Sequence, residues 1–246
     1  MRFQTGILFA CGLLFGTCAA SQDVLIDNVT VVSPERDMPR DRAAVLIRNG
    51  RIVAIKRSPA RRDSSQFVDG TGLYLTPGLI DSHVHLGDVS GMTPEQQQAN
   101  PALTEAARAQ TPRSYLYFGF TTLVDLLSVG ERVKQWNAQA VRPDLYFCGG
   151  APVMDGYPMN WTPKPERYKA WPYLLVQPGD IAPEGMNAAD HTPEAVVKRM
   201  RADGAICVKS FFERGWGNIN PLPVPTRDTI DALVRAAHKE RMPVFL

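Results

Sequence analysis

From Thr76 onward the chain alternates between stretches that read as strands and stretches that read as helices, and nothing else in the sequence restricts the fold as much. "LTPGLIDSHVHLGD" is followed by a helix start at Thr93-Pro94-Glu95, with Thr as cap and Pro in the first turn. A helical region, "ALTEAARAQTPRSYLYFG", comes next and is expected to be interrupted at Pro112. Then come "FTTLVDLL", the helix "ERVKQWNAQAV", the strand "DLYFCGGAPV", the helix "TPEAVVKRMRADG" closed by Gly204, the strand "AICVKSFFE", a helix from Thr226 to Glu240, and "MPVFL" as a fifth strand. Strands separated by helices pair in parallel through helical crossovers, so the expected class is α/β.

The preceding residues read differently. "VLIDNVTVV" is one strand, and "AVLIRNGRIVAI" is two strands around Asn49-Gly50, a dipeptide suited to the positive φ angles of a tight hairpin. "QFVDGTGLYLT" reads as a further strand pair, while Asp27, Asp69 and Arg48 read as turn or surface charges. At the start, Arg2, an apolar run from Gly6 to Phe15 and small residues through Ala20 have the layout of an export leader. That run is too short for a stable membrane anchor. The expected organisation is a signal peptide at 1–20, a small β domain at 21–75 and a β/α domain at 76–246. Export, periplasmic or secreted, is expected from the leader alone, with no membrane attachment after cleavage.

The candidate chemistry lies at Tyr74–Gly87. In a strand, Asp81, His83 and His85 share one face, whereas Ile80, Ser82, Val84 and Leu86 form an apolar face suited to a covering layer of helices. Two imidazoles at i and i+2 lie about 6–7 Å apart along a strand, near enough to ligate one ion. A lone His-x-His is common and seldom a metal site, so spacing alone does not decide the matter. Lys209 lies in the middle of a strand expected to be buried, where an isolated ammonium is expensive to desolvate. Either its head snorkels to water, or the neutral amine adds carbon dioxide to become an anionic carbamate, a good oxygen ligand.

Other residues carry less. Cys207 reads as a buried small hydrophobe, and Cys148 and Cys207, the two cysteines left after leader removal, do not make a disulfide framework. His191 and His238 read as structural. Asp125 either orients a histidine or caps a strand end. The Pro-, Trp- and Tyr-rich segment from Met154 to Asp190 reads as either a substrate lid or a poorly ordered insertion. Gly149-Gly150 is not a phosphate loop, and no nucleotide-binding pattern occurs. A net charge of +2, from 27 basic and 25 acidic residues, gives no case for nucleic acid. Composition does not set an oligomeric state.

The stretch with Pro77, Gly78, Ile80, Asp81, His83 and His85 resembles the first-strand signature of the metal-dependent amidohydrolase superfamily, of the imidazolonepropionase- and prolidase-like binuclear type. Gly119, Thr121, Thr122 and Asp125 resemble a second motif of that family. The resemblance implies the N-terminal half of a TIM-like (β/α)8 barrel preceded by a small β-sandwich-like unit. It implies divalent metal, zinc being the expected ion and two ions the complement of a complete relative. His83, His85 and a carboxylated, bridging Lys209 would be the ligands, with Asp125 behind them. A small amide-like substrate would be attacked by metal-bound hydroxide. Five strands against the eight of a closed barrel suggest a C-terminally truncated member. The rival reading is a catalytically silent exported fragment or binding remnant.

Overall fold

A computed structural model describes residues 23–60, 66–164, 166–215, 217–219 and 221–246. The export leader at 1–20 lies outside the described residues. Two compact units meet at the Pro77–Gly78 bond, and no described helix is long and apolar enough to cross a membrane.

The first unit is one five-stranded sheet made of β1 (Val24–Val31), β2 (Arg40–Arg48), β3 (Arg51–Arg57), β4 (Gln66–Asp69) and β5 (Tyr74–Leu75). Burial along β1 alternates residue by residue, and Val29 and Val31 pack with Ala43 and Val45. Asn49 and Gly50 both have positive φ, 50° and 70°, and close the β2–β3 hairpin. The stretch expected to be a strand pair behaves otherwise: β4 and β5 each add to β1 in parallel instead of pairing with each other. The intervening Asp69-Gly70-Thr71 turn explains this, because Asp69 accepts from both the Thr71 backbone and its hydroxyl and redirects the chain. Asp27 is not a surface charge either. It is 7% exposed and accepts the Ala60 amide, so a backbone donor accompanies it into the interior.

The second unit is a parallel sheet whose spatial order follows the chain: β6 (Leu79–Val84), β7 (Phe120–Asp125), β8 (Asp144–Ala151), β9 (Cys207–Ser210) and β10 (Val244–Phe245). Between the strands run α1 (Pro94–Ala99), α2 (Pro101–Tyr117), α3 (Gly130–Asn137), α4 (Arg167–Ala170), α5 (Pro193–Ala202) and α6 (Arg227–Lys239). This sequential parallel winding is that of the first strands of a (β/α) barrel. Threonines start three of the helices: Thr93 in a reciprocal capping box with Gln96, Thr192 accepting from Ala195, and Thr226 accepting from Thr229. The core lies where Phe147 and Val208 meet Val196, Val197 and Met200 of α5 and Leu233, Ala236 and Ala237 of α6.

Two expectations are corrected in this unit. Helix α2 runs unbroken through Pro112. The helix is largely solvent-exposed, so water can satisfy the carbonyl that proline leaves without a donor. Along β6 the apolar face is covered only in part: Val84 is buried against Leu123 and Leu145, but Ile80 is 65% exposed. β6 lies at one edge of the sheet, and its register with β7 shifts between Asp81 and Val84, which breaks the simple alternation.

Candidate active site

The end of β6 is held in place before any side chain acts. Gly78 lies so close to β7 that a Cβ there would overlap the Thr121 side chain, so residues from the two motifs pack directly on each other. Val84 turns into the core and leaves His83 and His85 on the exposed side. Asp81 accepts the His83 amide at 3.1 Å. Asp125, fully buried at the end of β7, accepts the amides of Leu86 at 3.1 Å and Leu127 at 2.9 Å. The carboxylate therefore ties the exits of two adjacent strands together. Its Oδ1 also lies 3.9 Å from Nδ1 of His85, beyond hydrogen-bond length but within reach of a charge interaction.

The two imidazoles converge. Their Nε2 atoms are 3.3 Å apart, with ring centroids at 5.2 Å and an edge-to-face angle of 77°. At this distance one Nε2–H can donate to the other nitrogen, or both lone pairs can be turned onto one cation. Two imidazole nitrogens, each bonded to zinc at about 2.0–2.1 Å in a tetrahedral shell, lie about 3.4 Å from one another. The pair thus fits a divalent ion without rearrangement. Among the described residues, no group of three or more His, Cys, Asp or Glu side chains gathers at one point.

Lys209 lies on β9, three strands from β6 in the sheet order. It is half-buried, and its Nζ lies 5.6 Å from the centroid of the Phe211 ring. The structure therefore brings His83 and His85 together with Asp125 behind them, while Lys209 stands three strands along the same sheet. His191 binds the Leu174 carbonyl through Nδ1 at 3.0 Å, and His238 sits in the last turn of α6.

Cys207 departs from expectation. It is buried, but as a disulfide partner of Cys148, with Cα atoms 4.4 Å apart. The two residues are Cα partners on the neighbouring parallel strands β8 and β9. A separation of 59 residues hides that juxtaposition from the sequence.

The segment after β8 is built, not loose. Asp155 accepts from Lys164 at 2.8 Å, Arg167 at 2.7 Å and Tyr168 at 2.8 Å. Burial pushes its carboxyl up, but those three donors together outweigh burial and hold it below the ordinary carboxylate range. Leu174 and Leu175 are fully buried, and the Tyr173 hydroxyl donates to Asp203 at 2.6 Å. Burial first, then that bond, keeps the Tyr173 phenol protonated well above its usual range. Between this segment and the end of β6 opens a cleft of about 610 Å³, reaching from His85 to Tyr157, Trp161 and Trp171. Sequence reasoning missed these aromatics as site residues; their clustering in one long segment was the available signal. A larger hollow, about 870 Å³, also reaches His85 but is walled by Tyr115, Phe118 and Trp136 of the helical layer. The smaller cleft is the better candidate, because two backbone ends of the parallel strands, at Gly87 and Ser128, line it.

A parallel β/α sheet with a convergent histidine pair at the end of its first strand has the layout of the first half of a β/α barrel. Residues 74–245 match the amidohydrolase family, and the chain belongs to it. It is 41% identical to an imidazolonepropionase of Vibrio parahaemolyticus, over 26% of this chain and 19% of that protein. It is 35% identical to a dihydroorotase of Streptococcus thermophilus, over 54% of this chain and 30% of that protein. Among solved structures, a Xaa-Pro dipeptidase with bound methionine in its active site superposes with a TM-score of 0.61 at 21% identity. That likeness covers 90% of this chain and 55% of the dipeptidase, and shows the shared fold. The chain thus spans less than a third of these two curated relatives and about half of the solved one.

Proposed function

We propose that the protein is a metal-dependent hydrolase of carbon–nitrogen bonds other than ordinary peptide bonds, acting on small amide-like molecules. The observation that carries this reading is the 3.3 Å approach of the His83 and His85 Nε2 atoms, with His85 lining a cleft. Membership of the amidohydrolase family supports it, as do relatives named for imidazolonepropionase and dihydroorotase activity.

His83 and His85 would hold a divalent ion, zinc by the preference of paired imidazoles. A bound ion of this kind supplies a Lewis acid that polarises a carbonyl and activates water at neutral pH. The remaining work belongs to the chain. Asp125 stands 3.9 Å behind Nδ1 of His85 and, through the amides of Leu86 and Leu127, keeps the two strand ends at a fixed separation. Lys209, as its carbamate, is the residue that would add an oxygen donor. The cleft wall from Tyr157 to Tyr173 borders His85 on one side.

Export forms part of the same proposal: residues 1–20 are a cleaved leader, and the mature chain begins near Ser21 or Gln22. A buried disulfide supports an oxidising compartment. A catalytically silent binding protein is the second reading, favoured by a convergent donor set of two histidines among the described residues.

Equilibrium dialysis against zinc tests the site. The chain should bind zinc weakly or substoichiometrically, and the H83A/H85A double variant should lose that binding while keeping its circular dichroism. Tight equimolar binding that survives both substitutions would place the metal elsewhere and sink the proposal.

A further inference from the structure

Tyr157, Trp161 and Trp171 line the same cleft as His85, and their rings are held rather than free to swing. Trp161 contacts Tyr157 edge-to-face at 5.1 Å, and Tyr157 contacts Phe211 in the same manner at 5.6 Å. Phe211 in turn lies beneath the Lys209 ammonium. Trp171 is anchored separately, its indole N–H donating to the Thr162 hydroxyl at 3.2 Å. Arg167 fixes the backbone between these rings by donating to the carbonyls of Thr162 at 2.7 Å and Asn160 at 3.0 Å. Asp155 fixes Arg167. Trp161 nevertheless stays 61% exposed, although it belongs to a packed segment. An indole that is fixed and still exposed beside a cleft is a preformed surface for a flat ligand group.

We infer that this cleft receives a planar ring carried by the amide-like substrate, with Trp161, Trp171 and Tyr157 as specificity-determining contacts. This rests on the hydrolase reading above for the identity of the ligand as substrate. The ring packs on the indoles while its attached amide points toward His85, which lines the same cleft. Small aliphatic amides leave the aromatic wall uncovered and bind less well.

The test is a pair of titrations on chelator-treated protein, with N-benzoylglycine and N-acetylglycine as probes, read by calorimetry and by saturation-transfer NMR. The probes share the amide and the carboxylate, so the difference isolates the ring. N-benzoylglycine should bind on the order of tenfold tighter. W161A should bring its affinity down to that of N-acetylglycine. W161F, which keeps a flat face and guards against a folding defect, should retain most of it. Y117A, at an exposed tyrosine on α2, should change nothing. Equal affinities for the two probes, or undiminished N-benzoylglycine binding in W161A, would overturn the inference. Because the protein is metal-free throughout, this result is independent of the zinc dialysis: loss of ring preference with intact zinc binding removes this inference alone, and the reverse removes the hydrolase reading.

Discussion

The two flanks of the parallel sheet are built on different terms. On the β8–β9 side, α5 buries Val196, Val197 and Met200, and α6 buries Leu233, Ala236 and Ala237. From Leu145 to Ala151 every residue of β8 except Tyr146 is buried. On the β6 side, α2 is longer, at 17 residues, yet buries only Thr104 and Pro112, and Leu79 and Ile80 of the strand stay exposed. The histidine pair stands on this second, thinly covered flank. Stability is therefore concentrated in the half of the sheet that carries no convergent donors, and the donors stand where the fold contributes least. Segments that bind or move are commonly drawn from such low-stability regions.

The sharpest way to break this contrast is a matched pair of truncations. L233A, at a fully buried position in α6, should cost about 2–5 kcal/mol in chemical denaturation. L103A, at a 60% exposed position in α2, should stay within about 0.5 kcal/mol. Comparable losses would mean that α2 is supported by contacts as strong as those of α6. Next in size, replacing Cys148 and Cys207 together by Ala should lower stability by about 2–4 kcal/mol, measured against oxidised wild type. Reduction should mimic the double variant, and a reduced wild type as stable as the oxidised form would refute the tie.

The smallest effect concerns acid. The folded Asp155 carboxyl lies below its ordinary value of 3.8, so its contribution is complete above that value and is lost as pH falls through the folded value. Limited proteolysis of residues 154–190 should show D155N more susceptible than wild type at neutral pH. The difference should shrink as pH drops below about 4. A difference that instead grew in acid would mean the carboxylate does not hold this segment.

Local rules made much of the architecture readable. Thr93, Thr192 and Thr226 mark helix starts because their hydroxyls accept amides that the first turn cannot satisfy internally. Asn49-Gly50 marks a hairpin because few residue pairs accept positive φ twice. The closeness of His83 and His85 follows from their spacing on one strand. What stayed hidden depends on partners distant in the chain. Cys148 and Cys207 meet only once β8 and β9 are in register. The Asp155 hub gathers donors 9, 12 and 13 residues away. Pro112 misled for another reason: proline in a helix leaves the carbonyl four residues back without a donor, and here that residue, Arg108, is exposed to water.

The link between Cys148 and Cys207 also has a topological consequence. It makes the intervening chain a closed covalent ring, and that ring includes the aromatic wall, α4 and α5. A protease that cuts once anywhere inside it opens the ring without releasing a fragment. A nicked molecule would migrate as one species until a reductant is added and as two afterwards, so cleavage of the cleft wall could pass unseen on a non-reducing gel.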